Sequence, residues 1–363
     1  MDPIYNRWPQ KAGAGSEARG SRANRKGEKS LPDLAVPQPY LIDACQYCKW
    51  SQSIFEELRE GGVDAIQVTV CYHEDFRETV ENLIDWKRRF ASFSHLIMAA
   101  HSNADIDAAR QTGRTAVFLG LQNASAIEDD IGLLGILHEL GVRVMQLTYN
   151  NQSLLGAGCY EAYDAGITRM GREVIAEMNR LGMLIDMSHS AERTTLETID
   201  LSARPIAITH ACPSAWHPVA RNKSDAVLRA LAARGGMLGL SLYPLHLKGG
   251  SDCTLESFTE MVARLAELIG AQHIGIGSDL CQGQPDSVVE WMRNGRWTRG
   301  SADLGTGKPV FPRQPDWFRD NRDFGKLRAG LERRGFAATE IDGIMGGTWY
   351  GLFRDAFSPE WAA

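Results

Sequence analysis

Two histidines, each closing a short apolar run, are the residues best placed to do chemistry: Gly182-Met-Leu-Ile-Asp-Met-Ser-His189 and Pro205-Ile-Ala-Ile-Thr-His210. Each run has strand length and ends in a side chain able to bind a metal. On consecutive strands of a parallel barrel, the two imidazoles would emerge side by side at the carboxyl rim, where such folds carry their active sites. Neighbouring imidazoles suit zinc and related ions. A lone histidine at a strand end is more often a hydrogen-bonded structural residue. Two in succession, each followed by a polar turn-rich stretch (Ser190–Arg193 and Ala211–Ser214), make a site a serious alternative.

The elements that must position them follow from the same pattern. Short apolar runs recur at Tyr40–Cys45, Asp64–Cys71, Thr115–Leu121, Val142–Tyr149, Met183–Ser188, Ile206–His210, Met237–Leu242 and Ile274–Asp279. Between them lie segments of helical period; one places Met170, Val174, Met178 and Leu181 on a single face. Gly141, Gly182 and Gly270 stand where helix C-caps belong. Eight strand–helix repeats with near-continuous apolar strands predict an α/β chain folded as a (β/α)8 TIM barrel over residues 39–280. Residues 281–322, rich in Gly, Pro and Trp, read as a lid-like loop over the mouth, a dimer contact or a plain surface loop. Two closing helices are expected within 323–363, near Phe324–Arg334 and Ala338–Met345, covering the outside of the barrel.

Composition sets the bounds. A chain of 363 residues, 44% hydrophobic, can bury a large core. A net charge of −6 gives no electrostatic reason to expect nucleic acid or an anionic membrane as partner. Residues 1–38 are the exception, with seven Lys/Arg against four Asp/Glu, and read as a flexible basic tail. No apolar secretory core follows that tail and no run of eighteen apolar residues occurs, so a cytoplasmic location is expected. Seven cysteines, an odd number, point to free thiols rather than a disulfide framework. Cys45-x-x-Cys48 lacks the second pair that a structural zinc site needs. Cys45, Cys71, Cys212 and Cys281 all fall at or just past expected strand ends, and Cys71, His73 and Glu74 are further rim candidates.

With these residues in view, the segment Met170–His189 closely resembles the central segment of the renal (membrane) dipeptidase family. Ile208-Thr-His210, Arg221-Asn-Lys-Ser-Asp225, Gly275-Ile-Gly-Ser-Asp279 and Ile344-Met-Gly-Gly-Thr-Trp349 extend the likeness over most of the barrel. The resemblance implies two zinc ions and dipeptide hydrolysis, with ligands from a His-x-Asp on the first strand, a bridging Glu on the third and single histidines on the fifth and sixth. His189 and His210 match the last two. The others are replaced: Cys45 stands for the first-strand His, Tyr47 for its Asp and Gln122 for the bridging Glu. Tyr149 replaces a substrate-contacting His, while Arg221 matches the substrate-carboxylate binder and Asp279 the carboxylate near the reacting water.

Two cations held close together need anionic ligands between them, and a neutral amide cannot supply the charge. One zinc ion is therefore expected rather than two, at His189 and His210 with Gln122 or Cys45 completing the set. Arg221 and Tyr149 would bind substrate, and Asp279 would move the proton. The expected function is a metallohydrolase acting on an amide bond in a small carboxylate-bearing molecule such as a dipeptide, with a homodimer implied by the family alone. The competing readings are a diverged barrel enzyme using Cys45 as thiolate, and a barrel that has lost catalysis and serves as a binding or accessory protein.

Overall fold

Nine parallel strands order as β1 (Ile42–Gln46), β2 (Ala65–Thr69), β3 (Ile97–Ala99), β4 (Thr115–Leu121), β5 (Val142–Gln146), β6 (Leu184–Asp186), β7 (Ala207–Ala211), β8 (Met237–Leu240) and β9 (Ile274–Ile276). They belong to a computed structural model that describes residues 39–296 and 310–358. The basic tail at 1–38 and the middle of the lid-like loop, 297–309, lie outside the described residues. With β3 set aside, each strand pairs with the next around a ring, β2 pairing directly with β4, and Asp43 of β1 opposite Ile276 of β9 closes it. Eight strands thus make the expected TIM barrel, with helices between them. β3 is additional: its three residues run beside the start of β4, with Ile97 opposite Thr115.

β1, β2 and β4 are buried along their whole length because both faces are covered, outside by helices and inside by one another. Alternation sends Ala65, Ala116, Phe118, Val144, Leu184, Ala207 and Met237 into one interior cluster. The lower end of that cluster is sealed by a helix at Thr348–Ala356, which the sequence pattern does not separate from its neighbour. Trp349 is fully buried there and donates its indole N–H to the Ile276 carbonyl at 2.9 Å. Gly275 makes room for it, since a Cβ at that position would lie 2.2 Å from the Trp349 Nε1. The Gly-Gly-Thr-Trp segment therefore plugs the barrel floor instead of covering its outside. Trp349→Ala is expected to lower unfolding stability by about 3–5 kcal/mol, read from the denaturant midpoint at unchanged m-value.

Asp186 and Thr209 share the inward parity of Leu184 and Ala207, one layer nearer the mouth. They form a polar floor above the apolar one. Across the mouth runs the helix Asp286–Asn294, which contributes Val289, Met292 and Arg293 to the cleft wall.

Candidate active site

The loop ends above β1, β6, β7 and β9 converge on one point. His189 and His210 face each other, Nε2 to Nε2, at 3.0 Å. Their opposite ring nitrogens are both committed. The Nδ1 of His189 lies 2.7 Å from Asn150 Oδ1, which can only accept, so His189 carries its proton there. The Nδ1 of His210 lies 2.8 Å from Thr209 Oγ1, and the single Thr209 proton goes to Asp186 Oδ2 at 2.6 Å. His210 therefore also donates from Nδ1. Two lone pairs are left facing each other, and His189 Nε2 also accepts from Arg221 Nη2 at 3.2 Å, a contact that a metal ion seated between the rings would displace. Burial, then the charge of Arg221, holds both imidazoles well below the usual histidine range, so a proton does not fill the gap at neutral pH.

Two further donors complete the cluster. The Cys45 sulfur, a His210 nitrogen and an Asp279 oxygen all lie within 4.8 Å of one another, and all three residues are buried. Ligands around a tetrahedral zinc stand about 3.3–3.8 Å apart, so modest side-chain movement brings the set to bonding distance. Burial pushes the Asp279 carboxyl up to about 7, against the lowering effect of Arg221, and raises the Cys45 thiol well above its ordinary value. Asp279 sits at φ 58°, in the left-handed region, where its backbone N–H reaches the Cys45 carbonyl at 2.9 Å. Asn150, at φ 59°, is the other such residue in the site. Asp and Asn are, after glycine, the residues that most readily adopt this conformation.

Gln122 is beside the cluster but turns its amide nitrogen toward it, donating to Cys45 Sγ at 3.3 Å and Thr69 Oγ1 at 2.8 Å. In that orientation it presents amide hydrogens, not an oxygen, to the cluster. Tyr47 lines a neighbouring cleft with Trp50, Glu74 and Trp86, its ring against Tyr72 at 4.7 Å. Tyr149 stacks on His189 with centroids 4.1 Å apart. Arg221 is buried; it donates to the Ser188 carbonyl, to the His210 carbonyl at 3.3 Å and to His189 Nε2 at 3.2 Å. Among the described residues no carboxylate pairs with it. Glu74 accepts from the Tyr72 and His73 amides and shapes its own loop, while the His73 ring meets Tyr149 edge-on at 5.4 Å. All seven cysteines are free.

Several residues that build the site carry no signal in a search for ligands: Asn150, Asp186, Thr209, Asp43 and Ser278. The two aspartates could have been found, because Leu-Ile-Asp occurs three times, at 41–43, 83–85 and 184–186, and the first and last of these stand just before a candidate ligand. Asp186 accepts from Ser188 N, Ser188 Oγ, Thr209 N and Thr209 Oγ1, and so locks β6 to β7 beneath the histidines. Asp43 does the same across β1 and β9, accepting from Gln46 Nε2, Ser278 N and Ser278 Oγ. The cleft above is about 780 Å³ and is lined by His189, Arg221, Tyr149, Tyr243, Asp279 and Arg293 among others.

A model of the membrane dipeptidase family (peptidase family M19) matches residues 45–295. A dipeptidase of Claviceps purpurea, tcpJ, is 29% identical over 65% of this chain and 56% of its own length. A dipeptidase of Aspergillus oryzae, aclJ, is 29% identical over 57% and 50%. The chain thus spans about half the length of these curated relatives. An amidohydrolase structure from Pseudomonas aeruginosa superposes with a TM-score of 0.84 at 35% identity, over 88% of this chain and 97% of that one. A metallopeptidase from Rhodobacter sphaeroides, solved with a phosphinate mimic of the dipeptide L-Ala-D-Ala, shares the fold at 17% identity and a TM-score of 0.72, over 87% of this chain and 98% of that one. No helix among the described residues is long and apolar enough to cross a membrane.

Proposed function

Because the chain belongs to the membrane dipeptidase family, peptidase family M19, we propose that it is a metal-dependent hydrolase cleaving the amide bond of a small carboxylate-bearing substrate at a single zinc ion. The observation that carries this reading is the pair of facing Nε2 atoms, 3.0 Å apart with both Nδ1 protons spent elsewhere, beside the clustered donors of Cys45, His210 and Asp279. A donor set of two imidazoles and a thiol fits zinc in kind, and three protein ligands leave the fourth position for water or substrate. His189, His210 and Cys45 would hold the ion, with Asp279 beside it. Bound there, zinc polarises an amide carbonyl and lowers the pKa of water.

The remaining work falls to the chain's own groups. Arg221, a buried guanidinium with free donor capacity, holds the substrate carboxylate. Asp279 takes a proton from the attacking water and returns it to the leaving nitrogen; a carboxyl held near 7 suits both directions. Tyr149, packed flat on His189, fixes that ring and walls the cleft. Use of Cys45 as a nucleophile is less well supported, since burial and Asp279 keep its thiol protonated. Seven free thiols agree with a reducing, cytoplasmic setting.

Elemental analysis tests the proposal. Purified protein should hold about one equivalent of zinc, lose dipeptide hydrolysis on chelation and regain it on adding zinc back. Two equivalents would sink the single-ion centre. Full turnover by metal-free protein would sink the metal itself.

A further inference from the structure

We infer that the cleft selects an N-acylated amino acid over a zwitterionic dipeptide, with Arg293 as a specificity-determining residue that works against a free α-ammonium group; this deepens the hydrolase reading and rests on it. The argument begins with covalent geometry. In a dipeptide the ammonium nitrogen is two bonds from the scissile carbonyl carbon, about 2.5 Å away. Wherever that carbonyl is processed, the positive charge sits within the reacting centre.

The groups around that centre are poorly matched to it. Among the described residues lining the cleft, Asp279 is the sole carboxylate, and its oxygen is already clustered with Cys45 and His210 within 4.8 Å. Gln122 is neutral and presents amide hydrogens. Against that single anion stand two guanidiniums, Arg221 at the floor and Arg293 on the helix across the mouth. Arg293 shares the cleft wall with Tyr243, and among the described residues no carboxylate forms an ion pair with either arginine. Lys223 is also buried and its Nζ donates to the Ser190 carbonyl at 2.8 Å; burial and Arg221 pull its ammonium down to about 7, so it adds only part of a positive charge. The histidines that line the cleft, His189, His217 and His246, add no negative charge.

A cleft with this balance attracts a carboxylate and repels an ammonium, a device that gains specificity by penalising the wrong ligand. Val219, Leu247, Val289 and Met292 give the remaining wall an apolar face suited to an acyl chain. The reaction balances without any further reagent: water adds across the amide, its oxygen joins the acyl carbon as a carboxylate, and the nitrogen leaves as the amine of a free amino acid. An acyl-transfer reaction onto an amino acid must supply such a substrate.

N-acetylalanine and glycylalanine test the inference, since the second is the first with an ammonium group added. Both enantiomers of alanine are used, with the zinc-loaded full chain. Hydrolysis is followed as kcat/KM and binding by titration calorimetry. N-acetylalanine is expected to lead by at least about 10-fold in both, and Arg293→Glu to cut that ratio about 10-fold, mainly through tighter glycylalanine binding. Arg293→Met, which removes the charge without reversing it, should fall between, and thermal melts confirm that both variants fold. Equal or better use of glycylalanine overturns the inference and leaves the hydrolase reading standing, as does a ratio indifferent to Arg293. Tighter binding of N-acetylalanine with no hydrolysis of either compound leaves the inference standing and overturns the hydrolase. Binding of neither overturns the inference.

Discussion

Asp279→Asn lowers kcat for amide hydrolysis by about 10²–10⁴-fold, the range for loss of a positioned general base, with KM little changed. Asn is the informative replacement because it tolerates the left-handed backbone at φ 58° as well as Asp does. It keeps the shape and removes the proton acceptor. His189, His210 and Cys45 remain, so zinc content should persist; a variant that loses both metal and turnover would make Asp279 a ligand before it is a base. Stability moves the other way. In the native protein this carboxyl titrates at about 7, against 3.8 for the free group, so the folded state keeps a proton that the unfolded state releases. The group costs nothing below about pH 4 and progressively more as pH climbs towards 7. Chelator-treated Asp279→Asn protein should therefore melt a few degrees above the parent chain at pH 8 and level with it near pH 4. Lower activity with higher stability is the signature of a residue kept for chemistry.

How much of this could be read from residues alone depended on how local the determining interaction is. The eight barrel strands were legible because burial on both faces leaves uninterrupted apolar runs. β3 was not, because Ile97–Ala99 is three residues long and pairs only beside the start of β4. His189 and His210 were legible as neighbours because consecutive strands of a parallel barrel lie side by side. The tautomer of each ring was not, since it is set by Asn150 and by the Asp186–Thr209 pair, partners joined through strand register and a loop turn. Gln122 shows the same limit from another side: its position near Cys45 follows from strand order, but which end of the amide faces inward depends on Thr69 on β2. The Trp349 segment was recognisable as a pattern, and its place under the barrel became clear only through the close approach that Gly275 permits.

Asp186→Asn should be the most damaging substitution that touches no ligand directly. In the parent chain the carboxylate accepts four hydrogen bonds and draws the Thr209 proton to itself, leaving the Thr209 oxygen to accept from His210 Nδ1. An amide offers one oxygen, and Ser188 N, Ser188 Oγ and Thr209 N already converge on the Oδ1 position. The NH2 group then faces Thr209 Oγ1, where it donates instead of accepting. Thr209 must turn its own proton to His210 Nδ1, which moves the imidazole proton to Nε2 and closes the lone pair that a metal needs. Outer partners of this kind typically carry about 10–100-fold in metal affinity, and forcing the wrong tautomer puts this variant at or beyond the upper end. Competition against a chelator reads the affinity, and nitrogen chemical shifts of His210 read the tautomer. Asp43→Asn is the matched control: it disturbs the β1–β9 side beneath Cys45 and Asp279, so turnover should fall while the His210 shifts stay put. Parent-like zinc affinity in Asp186→Asn would mean that the hydrogen-bond chain does not set the histidine, and that the facing lone pairs have another origin.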